Sequence, residues 1–326
     1  MAPGSVTLVS DLWYDDGNIV LQAESSLFRV FLGVLAAHSP VFKDIQKLPR
    51  SQDQEMYDDC PLMVLHDKAE DLANFLRAVY NSGCVVFIPL RFVKLLTTDR
   101  FFEPPPSKTD FDTLAGILRL STKYEIPYLR QRALRHLDVI AYTPSTLQDY
   151  DARERKPPIG SLGFRIADLA REMDLPWLLP MVLYTCTLSF KSIVTGYVYK
   201  GERRWMNRSL QVACIEAVMQ LMKWYRKVIL SFLYLREVDG CKSPARCNEA
   251  RIAVLEGCAS YGSPLGSFSD LYEQFVRKNF CKTCYIASRR THLAAREKLW
   301  EALPGLFGLP SWKNLKTLRE QALTES

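Results

Sequence analysis

The first third of the chain alternates short apolar runs with turn residues. Val6 to Tyr14 and Asn18 to Ala23 are strand-like, and Asp15-Asp16-Gly17 lies between them. Turn residues between two such runs predict a β-hairpin, in which Gly17 takes the positive φ. A further run, Leu27 to Phe31, predicts another short strand.

Helical spacing begins after these strands. Ser39 followed by Pro40 is typical of a helix N-cap with proline in the first turn. Met63 to Leu65 predicts a buried strand, and the helix after it has apolar residues at i, i+3, i+4 and i+7. These are Leu72, Phe75, Leu76 and Val79.

The middle of the chain is less regular. Cys84 to Ile88 is a strand candidate, and Pro104-Pro105-Pro106 predicts an exposed loop. Asp110 to Leu137 has helical periodicity that Pro127 divides into two helices. Residues 149–160 are polar and charged, and predict a loop or linker. Beyond them the pattern is helical at 162–173, 178–195, 207–235, 245–258, 268–278 and 291–303.

Several segments resemble the fungal BTB/POZ family in the same order. They are Asp11 to Leu21, Phe28 to Val30, Leu35 to Phe42, Leu65 to Tyr80, and Leu118 to Tyr124 followed by Ile126 to Leu129. The C-terminal half is similar to basidiomycete BTB proteins of unassigned role. There the resemblance is carried by Cys281-x-x-Cys284, Arg289-Arg290, Trp300-x-x-Leu303-Pro304 and Phe307-x-Leu309-Pro310-x-Trp312.

The resemblance implies an α+β fold in two parts. Residues 1–140 form a BTB/POZ-like domain, a small sheet flanked by helices, and residues 141–326 form an all-α region with the Cys-x-x-Cys and a Trp/Pro-rich tail. We expect this tail to pack on the helical region.

The resemblance also implies a homodimer. Val6, Leu8, Leu12 and Trp13 occupy the N-terminal segment through which many BTB domains pair, although the inward face of a strand has the same pattern. Phe31 and Leu32 stand where the family usually has a histidine and a basic residue, so we do not expect a charged pocket at the dimer groove.

The expected function is protein–protein interaction, as a homodimerising scaffold or adaptor. An alternative that the family offers is a substrate adaptor for a cullin-type ubiquitin ligase. A zinc-dependent nucleic-acid-binding regulator ranks last. No phosphate loop, G-x-S-x-G elbow or H-E-x-x-H is present, and the four histidines are far apart, so we do not expect an enzyme.

Composition bears on the cellular compartment and on the class of partner. Nine cysteines and a start without a secretory signal predict reduced thiols in an intracellular protein, cytoplasmic or nuclear. The apolar runs are too short or too interrupted for a membrane span. A net charge of +6 over 326 residues gives no reason to expect nucleic acid as a partner.

The cysteines Cys241, Cys247, Cys281 and Cys284 carry the strongest chemical signal. A C-x-x-C pair places two thiolates on one turn, as a tetrahedral Zn²⁺ requires, and a second pair can complete a structural zinc site. The spacing from Cys241 to Cys247 is wider than in most zinc knuckles. The same residues also fit reduced apolar side chains or a redox-active C-x-x-C.

Basic residues accompany the second cysteine pair. They are Lys278, Lys282, Arg289, Arg290, Arg296 and Lys298. We interpret them as a solvated helix face, since Glu297 and Glu301 dilute the charge.

Overall fold

The computed structural model describes residues 6–48, 54–80, 101–152, 160–235, 237–257 and 263–324. The chain divides into two compact units, one of residues 1–139 with 320–326 and one of residues 140–319. The predicted α+β class is confirmed: the first unit contains a small sheet, and the C-terminal region is largely helical. The strand candidate Cys84 to Ile88 and residues 153–159 of the predicted linker lie outside the described residues.

The sheet of the first unit has the strand order β1-β3-β2-β5-β4. The strands are β1 (Thr7–Trp13), β2 (Ile19–Ala23), β3 (Ser26–Val30), β4 (Met56–Tyr57) and β5 (Cys60–Leu65). Of the three interior strands, β2 and β3 supply much of the core, because their apolar side chains are wholly buried. These include Val20, Leu21, Phe28 and Val30.

The predicted hairpin between the first two strands is wrong. β2 pairs antiparallel with β3 through a two-residue turn in which Glu24 has a φ of 51°. Such a short turn makes β2 and β3 direct neighbours, and β5 covers the other side of β2. β1 therefore lies at the edge, parallel to β3. The Asp15–Gly17 segment still turns the chain, with the Gly17 N–H donating to the Tyr14 carbonyl at 2.9 Å.

Helices complete the first unit. They are α1 (Leu32–His38), α2 (Pro40–Lys47), α3 (Ala69–Tyr80), α4 (Phe111–Lys123) and α5 (Pro127–Ala141), the last reaching the unit boundary. The predicted cap is confirmed, since the Ser39 hydroxyl accepts from the Phe42 N–H at 3.2 Å. The predicted face of α3 is buried, and α5 begins at Pro127 as expected.

The remaining helices and one hairpin follow in the chain. They are α6 (Leu147–Asp151), α7 (Ser161–Glu172), α8 (Leu179–Thr187), α9 (Phe190–Thr195), β6 (Tyr197–Tyr199), β7 (Glu202–Arg204), α10 (Arg208–Lys227), α11 (Pro244–Gly257), α12 (Phe268–Leu271), α13 (Glu273–Asn279), α14 (Lys282–Leu306) and α15 (Trp312–Thr324). Short 3₁₀ turns lie at Pro176–Leu178 and Ile229–Tyr234.

Four of the predicted helices differ from the observed ones. The segment 178–195 is interrupted between α8 and α9, and the segment 207–235 changes to a 3₁₀ turn after Lys227. The segment 268–278 is divided at Tyr272 into α12 and α13. The last predicted helix begins at Lys282 instead of residue 291, because Cys281 acts as its N-cap. The hairpin β6–β7 was not predicted. The tail contacts the helical region as expected: Trp300 lies against Tyr150 of α6 with ring centroids 6.0 Å apart, and Trp312 stacks on Trp300 at 4.7 Å.

Candidate metal centre

Four cysteines meet where two helices of the second unit begin. Cys241 follows Gly240, whose φ of 74° turns the chain into the site. Cys247 lies in the first turns of α11, Cys281 is the N-cap of α14, and Cys284 lies in the first turn of α14. Both helices therefore direct their partially positive N-termini towards the sulfurs, which favours negative charge there.

The four Sγ atoms all lie within 4.8 Å of one another. Cys241 Sγ is 3.8 Å from Cys281 Sγ and 3.5 Å from Cys284 Sγ. These separations exceed the roughly 2.05 Å of a disulfide bond, so the cysteines are separate thiols. They match a tetrahedron around Zn²⁺, in which Zn–S bonds of about 2.3 Å give sulfur–sulfur edges of about 3.8 Å.

Hydrogen-bond donors point at the sulfurs. The Cys281 N–H donates to Cys247 Sγ at 3.3 Å, and the Cys284 N–H donates to Cys281 Sγ at 3.4 Å. Backbone donors directed at cysteine sulfur stabilise the thiolate form, which is the form that binds a metal.

A buried arginine adds a third donor. Arg251 is only 4% exposed, and its Nη2 donates to Cys284 Sγ at 3.3 Å. Its Nη1 donates to Asn248 at 2.6 Å, and the guanidinium lies over the Phe280 ring. Sequence reasoning missed Arg251. The available signal was its position four residues after Cys247, on the same face of α11.

The thiols differ in acidity. The Cys284 N–H is the main cause that lowers the pKa of Cys281 to about 6. Burial is the main cause that raises the pKa of Cys284, to about 12, and it also raises the pKa of Cys247. One thiolate is thus formed readily near neutral pH, whereas a divalent cation among the sulfurs would favour deprotonation of the others.

The wide Cys241–Cys247 spacing is explained by the start of α11. Ser243 and Pro244 lie between the two cysteines, and the Ser243 carbonyl accepts from the Cys247 N–H at 3.0 Å. This first turn carries Cys247 back towards Cys241. Within the described ranges, no other group of three or more His, Cys, Asp or Glu residues has metal-binding geometry.

The predicted dimer residues do not behave alike. Val6 and Leu8 are 45% and 46% exposed, whereas Leu12 is 1% exposed. Trp13 is half-buried, packs on the core residues around Val20, and contacts Tyr57 edge-on at 6.1 Å. Leu12 is therefore a core residue of its own chain and must be removed from the predicted contact surface.

One residue of the predicted basic face is not on the surface. Arg296 is buried and pairs with Asp151 at 2.5 Å, so it serves the interior of the second unit. The others are exposed, and the interpretation as a solvated face fits their positions. His292, one turn earlier, is also buried, and aromatic rings surround it. They belong to Phe232, Phe268 and Tyr272.

Within the described part of the chain, none of the helices carries an apolar stretch long enough to cross a bilayer. Comparison of the chain with protein-family models, with curated proteins and with solved structures finds no match.

Proposed function

We propose that the chain is a non-enzymatic protein-interaction module whose helical region is held together by a structural zinc ion. The observation that carries the proposal is the cluster of four Sγ atoms within 4.8 Å, formed by Cys241, Cys247, Cys281 and Cys284. Three hydrogen-bond donors point at these sulfurs, as expected around metal-bound thiolates.

A structural role follows from the ligand set. Catalytic zinc sites keep one coordination position for water or substrate, whereas four cysteines occupy all positions of a tetrahedral ion. The metal would therefore join the starts of α11 and α14 and perform no chemistry. Zn(Cys)₄ carries two negative charges, which Arg251 and the two helix N-termini partly compensate.

The interaction role is proposed for the first unit, as a BTB/POZ-like domain that forms homodimers. Support comes from β1, an edge strand that can pair further, and from two exposed apolar residues, Val6 just before this strand and Leu8 within it. A stable dimer would bury on the order of 1,600 Å² in total, so these residues would be part of a larger contact.

The metal is tested on the full chain purified without chelator. We expect one zinc per chain, and removal with EDTA should lower the melting temperature. Cys281→Ser and Cys284→Ser should lose the metal, whereas Cys214→Ala, a free cysteine buried elsewhere in the second unit, should retain it. A zinc content near zero together with a melting curve that EDTA does not change would refute the zinc site.

Self-association is tested separately by light scattering over a hundredfold concentration range. We expect a mass near twice 37.4 kDa. The double variant Val6→Asp/Leu8→Asp should give a monomer. Val64→Asp, a change at a valine of β5 that is 49% exposed, is the matched control and should leave the dimer intact. A wild-type monomer at every concentration would refute this part of the proposal.

A further inference from the structure

Helix α10 has two apolar faces. One face is buried within the second unit and includes Leu210, Cys214, Ala217, Leu221 and Tyr225. A second stripe follows the spacing i, i+3, i+7, i+10 and is open to solvent. Its residues are Val212, Ile215, Met219 and Met222, which are 44%, 37%, 57% and 37% exposed. An amphipathic surface helix normally has only one such face.

The stripe continues into a groove. The groove has a volume of about 490 Å³ and lies between α10 and the segment that joins α8 to α9. Leu188 and Phe190 line it opposite Ile215, Met219 and Met222, and both are close to half exposed. Single exposed apolar residues are ordinary, but a contiguous patch beside a groove is typical of a binding surface.

A positively charged residue lies at each end of the stripe. Arg208 lies four residues before Val212, and Arg226 lies four residues after Met222, so both arginines are on the face of the stripe. Both are exposed. The distance between them along α10 is about 27 Å, at about 1.5 Å per residue. The surface is thus an apolar strip of about three turns with a cation at each end.

These features define the occupant. We propose that the α10 groove binds an amphipathic helix of a partner protein, whose apolar side chains contact the stripe and whose acidic residues at both ends meet Arg208 and Arg226. A helix laid along a groove presents anchors at i, i+3 or i+4 and i+7, which is the spacing that α10 offers. Acidic ends supply the charge complementarity that selects the partner.

The methionines suit this role. Met219 and Met222 have flexible, polarisable side chains that adapt to differently shaped apolar partners. The arginines at the ends, in contrast, impose a requirement for charge. We therefore expect the groove to bind partner helices with different apolar anchors. It should discriminate strongly by the sign of the charge on the residues at the two ends of the partner helix.

This inference extends the proposed interaction role to a second surface and is independent of zinc and of pairing through β1. The probe is a fluorescent helical peptide of about 18 residues with leucines at the stripe spacing and glutamates at both ends. A second peptide has lysines at the ends. Anisotropy with the full chain should show binding of the acidic peptide at least about tenfold tighter than of the basic one.

Variants then identify the surface. Met219→Asp should weaken binding of the acidic peptide more than about tenfold, because a carboxylate would enter the apolar contact. Gln220→Asp, the adjacent exposed position off the stripe, is the matched control. The double variant Arg208→Glu/Arg226→Glu should reverse the preference between the two peptides. Arg289→Glu/Arg290→Glu makes the same change in charge at two exposed positions of α14 that do not line the groove, and it should not reverse the preference.

Each outcome has a clear meaning. Binding that follows this pattern supports the inference. Absence of binding, or equal binding of both peptides, overturns it, even when zinc content and dimer mass are as proposed. A wild-type dimer that Met219→Asp converts to a monomer would assign the stripe to a second copy of the chain and would overturn the partner helix as its occupant.

Discussion

Arg251 donates a hydrogen bond from Nη2 to the Sγ of Cys284 at 3.3 Å, and it does so from a position that is almost wholly buried. A buried guanidinium needs a compensating negative charge. A zinc-bound thiolate at Cys284 would supply it, so metal binding and burial of Arg251 should stabilise each other.

Arg251→Met should therefore weaken zinc binding while keeping much of the packing volume. We expect a loss of about 10- to 100-fold in affinity, as is typical when a group that contacts a metal ligand is removed. Competition with a chromogenic chelator measures it. Arg246→Met is the matched control, since Arg246 is exposed on the same helix and donates to the Lys278 carbonyl at 2.9 Å. Equal affinities of both variants would contradict the role of Arg251.

Gly116→Ala should destabilise the first unit. A Cβ at Gly116 would lie 3.0 Å from the Cα of Asp71, where α4 crosses α3, so the helices must separate. We expect a loss of about 1–3 kcal/mol in the free energy of unfolding, measured with urea. Gly33→Ala in α1 is the control, because nothing lies within 4 Å of the new methyl group, and it should be neutral or slightly stabilising.

His292 should make the second unit sensitive to acid. Burial is the main cause that lowers its pKa to about 3, with Arg296 adding to the effect. The unfolded chain has a histidine pKa near 6.5, so unfolding takes up a proton as the pH falls from about 6.5 towards 3, and stability decreases. At pH 5 the cost is about 2 kcal/mol. His292→Leu, compared with the wild type in urea titrations at pH 7 and pH 5, should remove that difference. Parallel losses in both proteins would contradict the prediction.

Asp168 should have the opposite pH dependence. Burial is the main cause that raises its pKa to about 6, although its carboxylate accepts from the Asn207 N–H at 2.7 Å. A raised pKa means that the folded state favours the protonated form. Its stabilising effect is present below pH 4 and is lost as the pH rises through 6.

Asp168→Asn keeps an oxygen acceptor for Asn207 and removes the charge. We expect the variant to gain about 1–3 kcal/mol over the wild type at pH 7 and little at pH 4. Urea titrations at the two pH values measure this change, and an equal difference at both would argue against it.

The parts of the fold that sequence predicted well are those where one face is apolar. Leu72, Phe75, Leu76 and Val79 fill one side of α3, and all are buried. The first hairpin failed because strand composition says nothing about which strand is the neighbour. A two-residue turn at Glu24 decided that β2 pairs with β3, and Glu24 is not a typical turn residue.

The candidate site was predicted only in part. The residue types and the C-x-x-C spacing identified the four cysteines, but Arg251 contributes through the fold and carries no motif of its own. The open stripe on α10 could not be predicted either. From apolar periodicity, Met219 and Leu221 are equally good candidates for the buried face. Only the packing of the fold decides that Leu221 is buried while Met219 is exposed.

The cluster of cysteines also has a consequence for the unfolded chain. Cys241 and Cys284 are 43 residues apart. With zinc bound as proposed, their shared ion closes this loop. In a chain-entropy description, the closure lowers the conformational entropy of the unfolded ensemble by an amount equivalent to about 4 kcal/mol of folding stability. A disulfide would give a similar restriction only under oxidising conditions. Four thiolates around one ion give it with reduced cysteines, and the cross-link opens whenever a stronger chelator takes the metal.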